Sequence, residues 1–562
     1  MYNSLKVAVK NDLKGECASL CALIPEWLAD MGFDNKTGGN ARAYTLTLAF
    51  DPSVEGQGYI FSCPDNFGEI RASCLAGLYA GAGYFLLNSR ITDGALTPAD
   101  APAESYPAKQ VRGMYFATHF HNYYHDAPLA DVLRYVGELA LWGYNSLCVW
   151  FDMHHYSGMD DPAAIEMVER LRAILKKAQD SGMSPCLGVL ANEGFSSTPD
   201  ALKADWRAGR NGYHSEPAGH YHVEICPNEP GGMDLILKNR DDMCRAFDGI
   251  NLKYTWIWPY DQGGCTCSKC APWGSEGFLK TAPLVAGTFK KYFPGVEVIL
   301  SVWDFDEFIS GETEDFKQKF LNEGNYADYI LCEPRGQYDR LPIRGGEIRS
   351  LPVVGFPEIS MRYATPLGGF GANPLPRYIR HLWNVCKTEM AGGYPYSEGI
   401  FEDINKFVVS RMYWHGDYSV HDALEDYARA YFSAEHAADI SRCLTEMEIT
   451  LERAMVKSCD NVDPYAVFSA SGRVNAKIRH VLRTPAFCGH VYDEITKCDA
   501  VLPRAVRNSW RWRIVYLRAL IDRELSSNDF YETPACRGAF NELIEIYHAQ
   551  NAEFAVRPPV SE

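Results

Sequence analysis

Between residues 111 and 415 short apolar runs of strand character alternate with helix-length segments, and eight such runs can be counted. They are RGMYFATHF (112–120), NSLCVWFDM (145–153), SPCLGVLANE (184–193), LKYTWIWPYD (252–261), VEVILSVWDFD (296–306), ADYILCEPR (327–335), LPVVGFPEIS (351–360) and GGYPYSEGI (392–400). Strands covered on both faces read as near-continuous apolar stretches, and parallel neighbours need a crossover of a dozen or more residues. Segments such as LADVLRYVGELALWG, AIEMVERLRAILKKAQDSG and LPRYIRHLWNVCKTEM supply those crossovers. Eight βα units over roughly 300 residues predict a closed (β/α)8 TIM barrel, a fold of about 250 residues.

The whole chain has 562 residues, too many for one core, so the flanks should fold separately. LKVAVKN, AYTLTLAFD and GYIFSCPD read as strands, and ECASLCALIPEWLADMGF and EIRASCLAGLYAGAGYFL as helices. Together they predict a small α/β domain over residues 1–110, with the Pro- and Ala-rich stretch 91–111 as the interdomain connection. Beyond residue 415 the strand signals stop. HDALEDYARAYF, AADISRCLTEMEITLERAM, WRWRIVYLRALIDREL and FNELIEIYHAQ repeat apolar residues every three or four positions, which predicts an α-helical domain over 416–562. The class is α/β, with the barrel between these two domains.

The formal charge of −18 is spread along the chain without a basic run, which argues against nucleic acid or an anionic membrane as partner. MYNSLKVAVKNDLKG has no apolar core of signal-peptide type, and no run approaches the ~20 apolar residues of a membrane span, so a cytoplasmic location is expected. Eighteen cysteines are too dilute for a disulfide scaffold. A homo-oligomer stays open.

In such a barrel the C-terminal strand ends converge on one mouth. Here they carry Glu193, Asp261, Asp304, Asp306, Glu333, Glu358 and Glu398, with the aromatic residues Trp150, Trp258, Trp303 and Tyr396 beside them. Acids around an aromatic bowl suit glycoside hydrolysis, in which one carboxylic acid protonates the leaving oxygen and a second carboxylate activates water or attacks. The alternative for any single acid is that it caps a helix or pairs with an arginine. Glu333 follows an apolar run, and Arg335 stands close enough to hold or tune a carboxylate. Glu358 follows VVGFP, where desolvation would raise its pKa as a general acid requires. Glu398 precedes a glycine that lets ligand approach the backbone. Glu333 and Glu358 are the first catalytic candidates, Asp261 and Glu398 the next, and Glu402 and Asp403 should face the rim or cap the following helix. His119 and His121 form an HxH without the further ligands of a two-metal site, so His119 is read as a pocket hydrogen-bonder and His121 as core.

CTCSKC places Cys265, Cys267 and Cys270 on one loop after the fourth strand, and Cys226 on the preceding connection could complete a tetrahedral zinc site. A structural zinc is preferred to free thiols, and no cofactor is expected for catalysis.

At these residues the chain resembles known families. AYTLTLAFD with GYIFSCPDNFGEIRASCLAGLYAGAGYFLL looks like the small domain preceding the barrel in glycoside hydrolase families 20, 67, 84 and 115, and YFSAEHAADI resembles the helical C-terminal domain of family 67. VRGMYFATHFHNYY is similar to the opening of strand one in family 20, where an Arg-Gly supplies an arginine to the sugar hydroxyls, which implies that Arg112 contacts substrate. Family 20 carries an Asp-Glu pair after strand four, whereas this chain has Asp261-Gln262, and a glutamine cannot donate a proton as an acid does. The order Asp261, Glu333, Glu358 resembles the inverting α-glucuronidases of family 67, and the Cys-rich segment looks like the barrels around family 163. The resemblance implies an exo-acting glycosidase on a non-reducing-end sugar, first a uronide. The alternatives are a β-N-acetylhexosaminidase, with Asp261 holding the acetamido group, and a sugar-binding pseudoenzyme.

Overall fold

The computed structural model describes residues 1–10, 15–36, 42–64, 66–118, 122–215, 223–260, 264–322, 326–333, 341–360, 371–450, 485–529, 531 and 533–548. The N-terminal part is a five-stranded sheet built from β1 (Ser4–Val9), β2 (Ala43–Phe50), β3 (Tyr59–Ser62), β4 (Phe67–Ala72) and, after a small hairpin of β5 (Arg90–Thr92) and β6 (Ala95–Thr97), β7 (Ala103–Ser105). Its order is β1-β2-β4-β3-β7, parallel for the first three strands and antiparallel at β3. Two expectations change here. EIRA belongs to β4, because Gly68, Ile70 and Ala72 alternate inward, and the helix begins only at Leu75. The stretch 91–111 contributes a hairpin and an edge strand instead of serving only as a connection.

The helix Leu75–Asn88 packs so closely on the barrel helix Leu129–Leu141 that a Cβ at Gly83 would lie 1.8 Å from Leu141 O. Glycine is required there by approach, not by backbone angle.

The barrel closes as expected. Strands β8 (Val111–Phe116), β9 (Ser146–Trp150), β10 (Ser184–Leu190), β11 (Tyr254–Trp258), β12 (Glu297–Ser301), β13 (Tyr329–Cys332) and β14 (Val353–Gly355) run parallel in chain order. The eighth strand is in two pieces, β15 (Met390–Gly393) and β16 (Tyr396–Ser397), both paired with β8. Glu193, Asp304, Asp306, Glu333, Glu358 and Glu398 all lie beyond the last residue of their strands, by one residue for Glu333 and Glu398 and by three to five for the others, so these acids sit on the loops above the mouth. The barrel interior is aromatic: Tyr115, Trp150, Tyr254, Trp256, Trp258, Tyr329, Phe356, Tyr394 and Tyr396 form one buried cluster.

Among the described residues, helices Val420–Tyr431, Ala437–Thr450, Pro485–Val501, Trp510–Ser527 and Pro534–Ile546, with the one-turn Arg504–Arg507, form the C-terminal part. Arg511 ties it to the barrel. Its Nε donates to Asp403 Oδ2 (2.8 Å) and its Nη2 to Glu138 Oε2 (2.7 Å), while the guanidinium lies 4.3 Å from the centres of both the Trp510 and Tyr431 rings. Asp403 also accepts from Tyr135 and Tyr427 hydroxyls, both at 2.6 Å, so this buried carboxylate is fully engaged. Among the described residues no helix is long and apolar enough to cross a membrane.

Candidate active site

The floor of the mouth is a packed set of rings. Trp258 meets Trp256 (4.8 Å between centroids), Phe356 (5.1 Å), Trp303 (5.3 Å) and Trp150 (6.3 Å), mostly edge-on. Trp150 and Trp258 are each only 5% exposed, so their faces are spent on the core and are not open platforms for sugar. Trp303 lies beyond the end of β12 and stays half-buried, which leaves it the one of these three tryptophans with a face toward the bowl.

Glu358 and Glu398 come together at the seventh and eighth strands, where Glu358 bridges to Tyr396 in parallel register. Tyr396 Oη donates to Glu398 Oε1 at 2.7 Å. Burial pushes the Glu398 carboxyl up to about 8. The Tyr396 hydrogen bond opposes that rise, and the charges of Glu358 and Glu402 add to it. Glu358 in turn accepts the Ser360 N–H (2.6 Å), a partner suited to a carboxylate. Both residues keep part of their surface exposed.

Beneath them Glu402 accepts from Ser397 Oγ (2.7 Å) and from the Glu398 and Gly399 N–H groups (2.7 and 2.8 Å), which fixes the loop that carries Glu398. Lys406, fully buried, donates to Gly399 O and to the Tyr124 and Tyr135 hydroxyls, each at 3.1 Å, and burial lowers its pKa to about 8. Glu402 and Asp403 therefore do not face the rim. They are buried supports, one for the loop and one for the C-terminal helices.

A pocket of about 470 Å³ opens at the loops after β12 and β13. It is lined by Trp303, Asp304, Asp306, Glu307, Glu314 and Glu333 among others, with Lys317 as the one cation of its lining among the described residues. Lys317 is itself paired with Glu347 at 2.7 Å. Asp304 and Asp306 stand in left-handed backbone, φ 62° and 66°, which turns the loop after β12 sharply around the pocket. Phe356 joins pocket and carboxyl pair, with its ring 5.5 Å from Trp303 and 5.8 Å from Tyr396. Glu333 is buried at the wall of this pocket, one residue past β13.

Two further groups escaped the sequence reading. The turn after β9 presents Asp152, His154 and His155: His154 Nδ1 bonds Asp152 and lies 3.7 Å from Glu193 Oε1, and His155 Nε2 lies 3.1 Å from Asp152 Oδ2. Hydrogen bonds and charge from Asp152 and Glu193 hold His154 at about 9 against the opposing effect of burial, so it is a cation among acids. Asp152, His154 and His155 are close enough to share a metal ion, although their mutual bonds already account for them. The signal was the DMHH run directly after the second strand. The other group is Glu312, which accepts from Tyr260 Oη (2.6 Å) and the Gly274 N–H (2.5 Å) and is raised to about 8 by burial.

Arg112 requires correction. It is the second residue of β8, at the barrel face opposite the mouth, where Nε donates to Gly143 O (2.7 Å), Nη1 to Lys109 O (2.8 Å) and Nη2 to Gln57 Oε1 (2.6 Å). A strand rises about 3.3 Å per residue, so a side chain at its start cannot reach a sugar above its end. Arg112 instead fastens the N-terminal domain under the barrel. Asp261, Gln262, His119, His121 and Arg335 lie outside the described residues. The four cysteines do meet: Cys226, Cys265, Cys267 and Cys270 bring their sulfurs within 4.8 Å of one another.

No protein-family model matches the chain, and no curated protein matches its sequence. Solved structures match its fold. One is a family GH115 4-O-methyl-α-glucuronidase with specificity for decorated arabinogalactans: TM-score 0.60, 9% identity, covering 99% of this chain and 78% of that one. Another is a GH138 enzyme targeting pectin rhamnogalacturonan II: TM-score 0.58, 12% identity, covering 97% and 73%. The chain has the fold of these glycoside hydrolases. A GH20 exo-β-N-acetylglucosaminidase from Vibrio harveyi matches at a TM-score of 0.51 and 12% identity over 79% of this chain and 75% of that one. The likeness to families 20 and 115 read from the sequence thus holds at the level of fold.

Proposed function

We propose that this chain is a glycoside hydrolase that breaks a glycosidic bond at the barrel mouth, with Glu398 as general acid and Glu358 as the partner carboxylate. The observation that carries this reading is a carboxyl raised to about 8 beside a second carboxylate that accepts a backbone N–H. At neutral pH Glu398 keeps its proton and can deliver it to the leaving oxygen, while Glu358 faces the anomeric carbon or a water. Glu333, at the wall of the adjacent pocket, holds sugar hydroxyls, and Trp303 offers its face to the ring.

The pocket favours a neutral terminal sugar. A uronide, the substrate type of the GH115 structure, would place its carboxylate against Asp304, Asp306, Glu307 and Glu314. An N-acetylhexosaminide, as named for the GH20 structure, is neutral and is the second reading. The test is a panel of p-nitrophenyl glycosides: neutral hexosides, N-acetylhexosaminides and uronides. Turnover of a neutral glycoside supports the proposal, and turnover of uronides alone removes the charge reasoning. Saturable sugar binding without turnover of any member would make the protein a sugar-binding one.

A further inference from the structure

The cysteine cluster stands apart from the carboxyl pair and asks for its own explanation. Cys226 closes the long connection after β10, and Cys265, Cys267 and Cys270 lie on the loop after β11. The Cys226 sulfur is 3.9 Å from that of Cys267 and 3.8 Å from that of Cys270, and all four sulfurs fall within 4.8 Å of one another. A disulfide needs about 2.05 Å between sulfurs, so these are not bonded pairs. Around one zinc ion with Zn–S bonds of about 2.3 Å, a regular tetrahedron sets the sulfurs about 3.8 Å apart. The two Cys226 separations match that edge.

The surroundings fit thiolates. Asn228 Nδ2 donates to Cys270 Sγ at 3.1 Å, and the Asn228 and Glu229 N–H groups point at the Cys226 sulfur. Such N–H···S bonds offset negative charge on a metal-bound thiolate and orient it. Three of the four cysteines are buried and Cys267 is half-buried, so solvent has little access. Four thiols pressed together cannot all lose their protons without a cation between them.

We propose that Cys226, Cys265, Cys267 and Cys270 hold one Zn²⁺ in a closed tetrathiolate site. With all four positions taken by protein the ion has no vacancy for substrate, so its role is structural. It joins the loops that follow β10 and β11. Thr266 N–H donates to Asp205 O (2.9 Å), Asn211 Nδ2 to Thr266 O (2.7 Å), and Asn192 exchanges bonds with Gly264 (3.0 and 3.1 Å), all across the same seam. The metal adds a covalent-strength clasp to a seam otherwise held by hydrogen bonds.

The test is metal analysis of the full chain purified without added metal or chelator, with release by a mercurial followed by a zinc-sensitive dye. The proposal expects about one zinc per chain, released in step with modification of the thiols, and less than about 0.1 in Cys265→Ser/Cys270→Ser. Cys244→Ser, buried elsewhere, should keep its zinc. Folded wild-type protein with less than about 0.1 zinc per chain, or with iron in its place, overturns the proposal even if the serine variants fail to fold.

Discussion

Tyr396 donates its hydroxyl to Glu398 Oε1 at 2.7 Å, from the last short segment of the eighth strand to the loop directly above it. The bond partly counters the burial that raises Glu398 to about 8, so the hydroxyl tunes how readily the proposed acid gives up its proton. Tyr396→Phe removes the bond to the charged form. The alkaline limb of kcat/KM should then move to higher pH, with a loss of about tenfold in kcat/KM at neutral pH, the scale of one hydrogen bond. An unchanged pH profile would show that Glu398 is not the group titrating.

The same raised carboxyl has a thermodynamic sign. Its ordinary value is 4.5 and its folded value about 8, so the folded state holds the proton more tightly than the unfolded one. The stability this contributes is complete below about 4.5 and is lost as pH rises through about 8. Glu398→Gln cannot ionise. Its melting temperature, compared with that of the parent by scanning calorimetry, should gain on the parent from pH 5 to pH 8 while activity collapses.

Arg511 stands between Asp403 and Glu138 with rings on both sides. Arg511→Met keeps much of the volume and removes the charge, leaving buried Asp403 without this cation and Glu138 with only Arg134. The expected cost is about 3–5 kcal/mol in urea unfolding. A loss within about 0.5 kcal/mol would mean that the C-terminal helices are held by apolar packing alone.

Trp303 is the tryptophan with surface left for a ligand. Trp303→Ala should raise KM by roughly two- to tenfold, the range of an aromatic contact worth about 0.5–1.5 kcal/mol, and change kcat less. A fall in kcat at constant KM would place Trp303 in the support of the acid instead.

The barrel was legible because parallel strands buried on both faces must be apolar throughout, and the spacing of such runs admits few other architectures. What failed was the ends. WDFD after β12 and NE after β10 continue an apolar run in sequence, yet Asp304 and Asp306 turn the backbone left-handed, so the acids stand on loops. EIRA looked helical beside the Ala- and Gly-rich run that follows, whereas pairing with β2 and β3 decides that it is strand. Arg112 was carried over from a motif whose first residue begins a strand, and position along the strand overrides residue type. Aromatic residues at the mouth were visible, but whether a ring packs inward or faces ligand depends on its neighbours in space. The approach of Glu358 to Glu398 likewise joins segments 40 residues apart, a separation that periodicity does not reach, whereas the grouping of Cys226 with the CTCSKC loop was legible from ligand type.

Dependence on the leaving group tests whether Glu398 is the proton donor. The comparison is kcat/KM of wild type and Glu398→Gln on two glycosides of whichever sugar the panel identifies, one with an alkyl and one with a dinitrophenyl leaving group. With Glu398 as donor, the variant loses about 10²–10⁴-fold on the alkyl glycoside and little on the dinitrophenyl one, which departs without a proton. Equal losses on both, or full activity of Glu398→Gln on the alkyl glycoside, would contradict it.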